Sequence, residues 1–503
     1  MQFGWVAVLI LLGLLIGLQP DVYYVTKLER GDLVYPTLSE AIAAAKPGST
    51  IKVKAGVYRE NLIINKPLRI EAFSTEEGVA RVVIQARDPA QPVFKVLADG
   101  VRLSGLVIEG GSAGVEAVGV KGAKLIANVV RGSEAGLVLR GAQGSLLQGN
   151  EVRAKVGLVL EAASGNKLVG NEVFGGELGL RLSNSQENEL KGNKFEGQTA
   201  VLLQASHRNS FFKNRLAGSE RGLVLDRSGE NLFKETELAG RKPLELLGEA
   251  VEDWLQEIDT TNKVEGRAIY YLVGKEGLEL TPAQNPGYLA LIRCKNIAVS
   301  GVELEGGQSG LLLIETEGVT LRNNRLFGAE VGLKLWRTKN SLLEGNTITG
   351  GEVGIHLLDS SGEILSRNSV SGSDLGILIE GGGGHLLEGN EVSGARRGIS
   401  LAGSNGNRLK GNTVRGSKEY GLLLDSSAGN SVLRNELLGN WVGIFLQNAK
   451  ANTILENRAS EGQYGLYLAN SSGNEIAGND LSGNGRAGLG GSLEGNKLGE
   501  NKG

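Results

Sequence analysis

The side chains best suited to chemistry are scarce. The 503 residues include three histidines (His207, His356 and His385), one cysteine (Cys294) and one methionine, the initiator. Copper(I) is held by Cys, Met or His and copper(II) by clustered imidazoles, so a soft-metal site has almost no material here. One cysteine also excludes an intrachain disulfide and any multi-thiolate centre. His356 follows Gly354 by two residues and His385 follows Gly376 by nine, which places them on different faces of a repeating structure. The histidines are read as solvated surface residues, and Cys294, in LIRCKNI, as a buried strand residue. No metal and no cofactor is expected.

Carboxylates are plentiful, and glycoside hydrolysis needs two of them about 5–9.5 Å apart across the substrate. Glu380 and Asp425 each stand four residues after a glycine, Gly376 and Gly421, and so share a column. Ala402 lies between them, and Asp226 falls at the same place in the first half. LDRSGEN, LDSSAGN, LANSSGN and LSNSQEN are one turn written four ways, in which the Asp or Asn is expected to bond its own backbone. No catalytic residue is assigned. A polysaccharide-acting lyase, hydrolase or epimerase stands as the alternative to a binding protein.

Aromatic residues are only 5% of the chain, yet Tyr420, Trp441, Phe445, Tyr464 and Tyr467 fall close together. Two residues after each of a series of evenly spaced glycines, the chain reads Lys334, His356, Leu378, Ser400, Leu423, Phe445 and Tyr467. Strand side chains alternate, so this column is expected to point outward, between the inward residues one and three after each glycine, such as Leu422 and Leu424. Leu423, Phe445 and Tyr467, bordered by Trp441, Tyr420 and Tyr464, form a candidate docking patch for a sugar or a protein. The alternative is that they stack on one another for stability or lie under the C-terminal tail.

The elements that position these residues come from a repeat. Asparagine recurs every 21 or 22 residues at Asn128, Asn150, Asn171, Asn193 and Asn214. It resumes every 22 or 23 residues at Asn324, Asn346, Asn368, Asn390, Asn412, Asn435, Asn457 and Asn479. The marker glycines Gly310, Gly332, Gly354, Gly376, Gly398, Gly421, Gly443 and Gly465 keep the same beat. Within a period, runs of three to five residues alternate apolar and polar between turn signals, which reads as short strands. A period of about 22 with three strands is one coil of a parallel β-helix. Coils stack about 4.8 Å apart, so the asparagines become a ladder of mutually bonded amides. Thr236 stands where the next amide would be.

The predicted fold is all-β: a single right-handed, three-faced parallel β-helix with a short N-terminal helical cap. Residues 21–55 form the cap, with a helix over residues 36–45 that buries Leu38, Ile42 and Ala45 and ends at Pro47-Gly48. Residues 56–240 form the first half and 298–503 the second, with a degenerate C-terminal coil that loses its strands. Residues 241–297 break the period as an insertion or as distorted coils: Leu244, Leu247, Val251, Trp254 and Ile258 have helical spacing, whereas GRAIYYLV is strand-like. Residues 3–18 carry no charge, so residues 1–20 are read as an export signal or uncleaved anchor. The remainder of the chain is therefore expected outside the cytoplasm. The net charge of −3 excludes the basic footprint of a nucleic-acid binder.

The opening TLSEAIAAAKPGSTIKVKAGVYREN resembles the first turn of pectin-lyase-like β-helix proteins, in particular the NosD-like branch with carbohydrate-binding and sugar-hydrolase (CASH) repeats. The segment IDTTNKVEGRAIYYLVG…NPGYLALIRCKNIAVSGVEL is similar to the one that opens the periplasmic copper-binding NosD-type module. The resemblance implies a periplasmic, cell-surface or secreted protein; contact with a membrane is expected only through the N-terminal segment, where that is kept as an anchor. It also implies a partner that is a glycan, an extracytoplasmic protein or an ABC transporter. NosD itself assists maturation of a copper enzyme; that copper label finds no ligand residues to carry it here.

Overall fold

The computed structural model describes residues 21–27, 31–73 and 81–503. The uncharged stretch at residues 3–18 lies outside them. Among the described residues no helix is long and apolar enough to cross a membrane. The chain divides into two compact units, Met1–Pro243 with Leu247–Glu249, and Leu244–Leu246 with Ala250–Gly503.

Each unit is a parallel β-solenoid, wound in the right-handed sense that parallel crossovers adopt. The second unit has three faces. One is an eleven-stranded sheet running from Glu279–Leu280 to Lys497–Leu498, and one an eight-stranded sheet from Glu303–Glu305 to Arg458–Ser460. The third carries the six-residue strands Arg397–Ala402, Tyr420–Asp425, Val442–Gln447 and Tyr464–Ala469, paired coil to coil. In the first unit the corresponding strands run on round a corner, as in Val129–Arg140 and Arg215–Asp226.

Alternation sends every second residue inward, so equivalent residues of successive coils make apolar columns. Leu343, Leu365, Leu387, Leu409, Val432, Ile454 and Ile476 form one such column, with essentially no exposure. Leu422 and Leu424 are likewise buried, as the spacing predicts.

The asparagine ladder has every amide group occupied. Asn128 Nδ2 donates to Asn150 Oδ1 at 3.1 Å and to the Leu103 carbonyl at 3.0 Å; the Asn128 backbone N–H donates to the same Asn150 oxygen at 3.0 Å. This pattern continues to Asn214, and again from Asn324 to Asn479. Thr236, buried in the following coil, donates to the Lys234 carbonyl. The marker glycines answer a close approach. A Cβ on Gly354 would lie 2.6 Å from the Gly376 carbonyl oxygen, so any side chain there would force successive coils apart.

The cap helix spans Leu38–Ala44 and buries Leu38, Ala41 and Ile42. Thr37 caps its start, and Glu60 accepts from the free backbone N–H groups of Leu38 and Ser39 at 2.9 Å each. In the irregular region the helical spacing yields only one 3-10 turn, Val251–Trp254, after the strand Lys242–Leu247. GRAIYYLV forms the strand Arg267–Val273, paired with Tyr288–Ile292. The C-terminal tail departs from expectation. It keeps strands at Ala487–Gly491 and Lys497–Leu498, and Asn501 accepts from Asn479 as the next rung. The glycines and asparagines there build one more coil.

Candidate functional site

The strand face of the last coils carries a pocket of about 590 Å³ lined by Lys418, Glu419, Tyr420, Trp441, Val442, Phe445, Tyr464 and Tyr467. Two columns supply its rings. Tyr420, Val442 and Tyr464 are in register just ahead of the marker glycines, and Leu423, Phe445 and Tyr467 are in register just after them. Residues of both columns line the pocket from the same strands. Tyr420 and Phe445 lie 4.7 Å apart between ring centroids, Phe445 and Tyr467 5.9 Å, and Tyr464 and Tyr467 5.1 Å in an edge-to-face arrangement. Trp441, half exposed, stands at the rim.

Cations border the rings. The Arg397 guanidinium sits 5.6 Å from the Tyr420 ring, and Arg486 sits 5.9 Å from both Trp441 and Tyr464. Glu419 accepts from Arg397 Nε at 2.7 Å and from Arg396 Nη1 at 3.1 Å. The Arg397 hydrogen bond, with that of Arg396, holds its carboxyl below the usual carboxylate range against the effect of partial burial. Arg486 donates to the Tyr464 hydroxyl at 3.4 Å and makes no ion pair among the described residues. The site combines ring faces, hydroxyls and a cation, a composition suited in its chemistry to ring-shaped polar molecules.

Of the predicted patch, Phe445, Tyr467, Trp441, Tyr420 and Tyr464 come together as lining. Leu423 does not: only 5% exposed, it lies outside the lining, shielded by Ser400 and Phe445 one coil away on either side. Outward-pointing side chains stacked at the coil spacing cover one another, so direction alone does not confer exposure.

His385 and His356 also depart from the surface reading. His385 is buried, and its Nδ1 accepts from the Glu363 backbone N–H at 3.1 Å while its Nε2 has no hydrogen-bond partner. Burial pulls its pKa down to about 4. It occupies a second polar ladder that the turn-by-turn reading misses. That ladder runs through Asn166, Asn188, Asn209 and Asn231 in the first unit. In the second it runs through Glu363, His385, Asn407, Asn430, Asn452, Asn474 and Asn496. Its signal in the sequence is the asparagine closing each SGN or QEN turn, five residues before the first ladder. The turns themselves are shaped differently from expectation. The Asp side chain points outward, and a buried Ser donates to the carbonyl two residues back, as Ser427 does to Asp425 and Ser185 to Ser183.

His356 is half-buried, its Nε2 2.7 Å from Glu380 Oε2. Burial lowers its pKa, with Glu380 acting the other way. Lys334, one coil below in the same column, lies 5.7 Å from the Trp254 ring, and burial lowers its pKa too. Glu380, Ala402 and Asp425 are in register, so the two carboxylates are separated by an alanine as expected.

The donor set does not fit copper. Among the described residues no three His, Cys, Asp or Glu side chains gather as a metal would require. Cys294 is buried as expected but lies just beyond the strand Tyr288–Ile292 and not in it; its thiol donates to the Leu272 carbonyl, and burial pushes its pKa up. His385 is committed to the interior ladder.

A right-handed parallel β-helix with paired asparagine ladders and an open aromatic face is thus the class of protein in hand. The chain belongs to the NosD family: residues 77–245, 260–385 and 332–492 match the family described as periplasmic copper-binding protein (NosD). No curated protein matches it. Among solved structures, the periplasmic alginate epimerase AlgG is similar over 90% of this chain and 84% of its own, at 10% identity and TM-score 0.30. DFA-IIIase from Arthrobacter chlorophenolicus A6, without its lid, is similar over 82% of this chain and 94% of its own, at 15% identity and TM-score 0.35. Neither likeness bears on the chemistry of this chain.

Proposed function

We propose that this chain is a non-catalytic extracytoplasmic binding protein of NosD type that holds a saccharide on the aromatic face of its last coils. The observation that carries the reading is the pocket at Tyr420, Trp441, Phe445, Tyr464 and Tyr467. A pyranose offers an apolar C–H face to a ring and hydroxyls to its polar edge, and this pocket presents rings, tyrosine hydroxyls and a carboxylate together. The family's description as periplasmic supports a location outside the cytoplasm. Trp441 at the rim provides the reporter. Its fluorescence is expected to change saturably with at least one member of a panel of neutral and acidic oligosaccharides, and Trp441→Phe should lose the signal. A flat response across the panel, with a protein partner captured instead, contradicts the saccharide reading.

A second reading, a polysaccharide-acting enzyme, draws on the His356–Glu380 pair beside Lys334. A neutral imidazole oriented by a carboxylate is a competent general base. Turnover of an acidic polysaccharide that His356→Ala abolishes would favour this reading over binding alone.

A further inference from the structure

We infer that the saccharide taken by the aromatic pocket is acidic, a uronate whose carboxylate is met by Arg486. This rests on the saccharide reading and adds the charge of the ligand. Three observations point the same way. The lining carboxylate, Glu419, is already engaged by Arg396 and Arg397, so it offers little negative potential to a ligand. Lys418 stands exposed at the same wall. Arg486 is exposed and placed equally against Trp441 and Tyr464, with no acid paired to it among the described residues. The local balance of charge is therefore positive on a chain whose net charge is −3.

A guanidinium beside two rings is suited to a planar carboxylate, which it meets with two parallel N–H groups while the rings take the sugar face. A neutral sugar would leave that cation unanswered. The geometry thus favours a ring and an anion within one ligand, and the ring-anion distance in a uronate is short enough for one pocket to read both.

The test compares an oligogalacturonate with its methyl ester, which keeps the ring and removes the charge. The acid is expected to bind at least tenfold more tightly than the ester at low salt, with the gap narrowing at high salt. Arg486→Gln should bring the two to equal affinity without a change in melting temperature, and Arg486→Lys should restore part of the difference. Equal binding of acid and ester by the unaltered protein overturns the inference while leaving the saccharide reading intact. Binding of neither, with a neutral member of the panel bound instead, overturns the inference alone, and a flat response across the whole panel overturns both.

Discussion

The outward column beside the marker glycines exists in both units, and the two versions have different fates. In the first unit, between Glu116 and Arg181, it reads Val138 and Val159 after the glycine, with Ala113, Ala135 and Val156 before it. These short aliphatic side chains close over one another, leaving Ala113, Val138 and Val159 at 5% exposure or less. In the last coils of the second unit the same two columns carry Tyr420, Phe445, Tyr464 and Tyr467, whose rings pack at angles to one another. They tilt, and a pocket opens between them. In both places the backbone pairs the residues on either side of the glycine coil to coil. What distinguishes a sealed surface from a site is the size of the side chains placed on them.

Substitutions at several depths probe that contrast. The inward columns should behave alike in both units: Leu160→Asp and Leu424→Asp each bury a charge without a partner and should cost more than about 4 kcal/mol, enough to prevent folding, as circular dichroism would show. Leu423→Asp, in the outward column but covered, should cost less than either inward change, because its carboxylate has the shorter way to solvent. The ladders come next. Asn171→Ala and Asn368→Ala each strand backbone and amide groups of two neighbouring coils and should cost roughly 3 kcal/mol in denaturant unfolding. A much smaller loss in one unit would mean its ladder is dispensable there.

The interior of the second unit makes a pH-dependent prediction of similar size. Burial pushes the Glu363 carboxyl up to about 7 from 4.5, so the folded state holds that proton more tightly than the unfolded chain. Its contribution is therefore complete below pH 4.5 and lost as pH rises through about 7. Glu363→Gln should raise stability at pH 8 by about 3 kcal/mol relative to the unaltered protein and do little at about pH 4.5. His385, with its lowered pKa, acts in the opposite direction and weakens the fold as pH falls from 6.5 through about 4. The smallest effect belongs to the sealed surface: Val159→Ser should cost about 1–2 kcal/mol and change no binding.

Much of this is legible in the sequence because a solenoid repeats its instructions. The beat of Asn346, Asn368 and Asn390 gives the winding, and Leu422 and Leu424 give the inward faces. The aromatic cluster is visible as a local excess. Two things are not legible. Leu423 is expected at the surface because alternation predicts direction, whereas exposure depends on the bulk of neighbours one coil away. His385 and Glu363 are hidden because a residue's role is set by its column, and theirs is filled elsewhere by asparagine. The tail misleads for a related reason: Asn496 and Asn501 hold their coil through ladder bonds while its strands are short.

A ligand site at the rings of the last coils requires that they do more than brace one another. Melting temperature and oligosaccharide affinity, measured together on the double variant Phe445→Ser, Tyr467→Ser, separate the two roles. Aromatic pairs contribute only about 0.5–1.5 kcal/mol beyond the area they bury, so a modest fall in melting temperature with complete loss of binding is expected. A large fall in melting temperature with affinity unchanged would mean that the rings serve only to brace the coils.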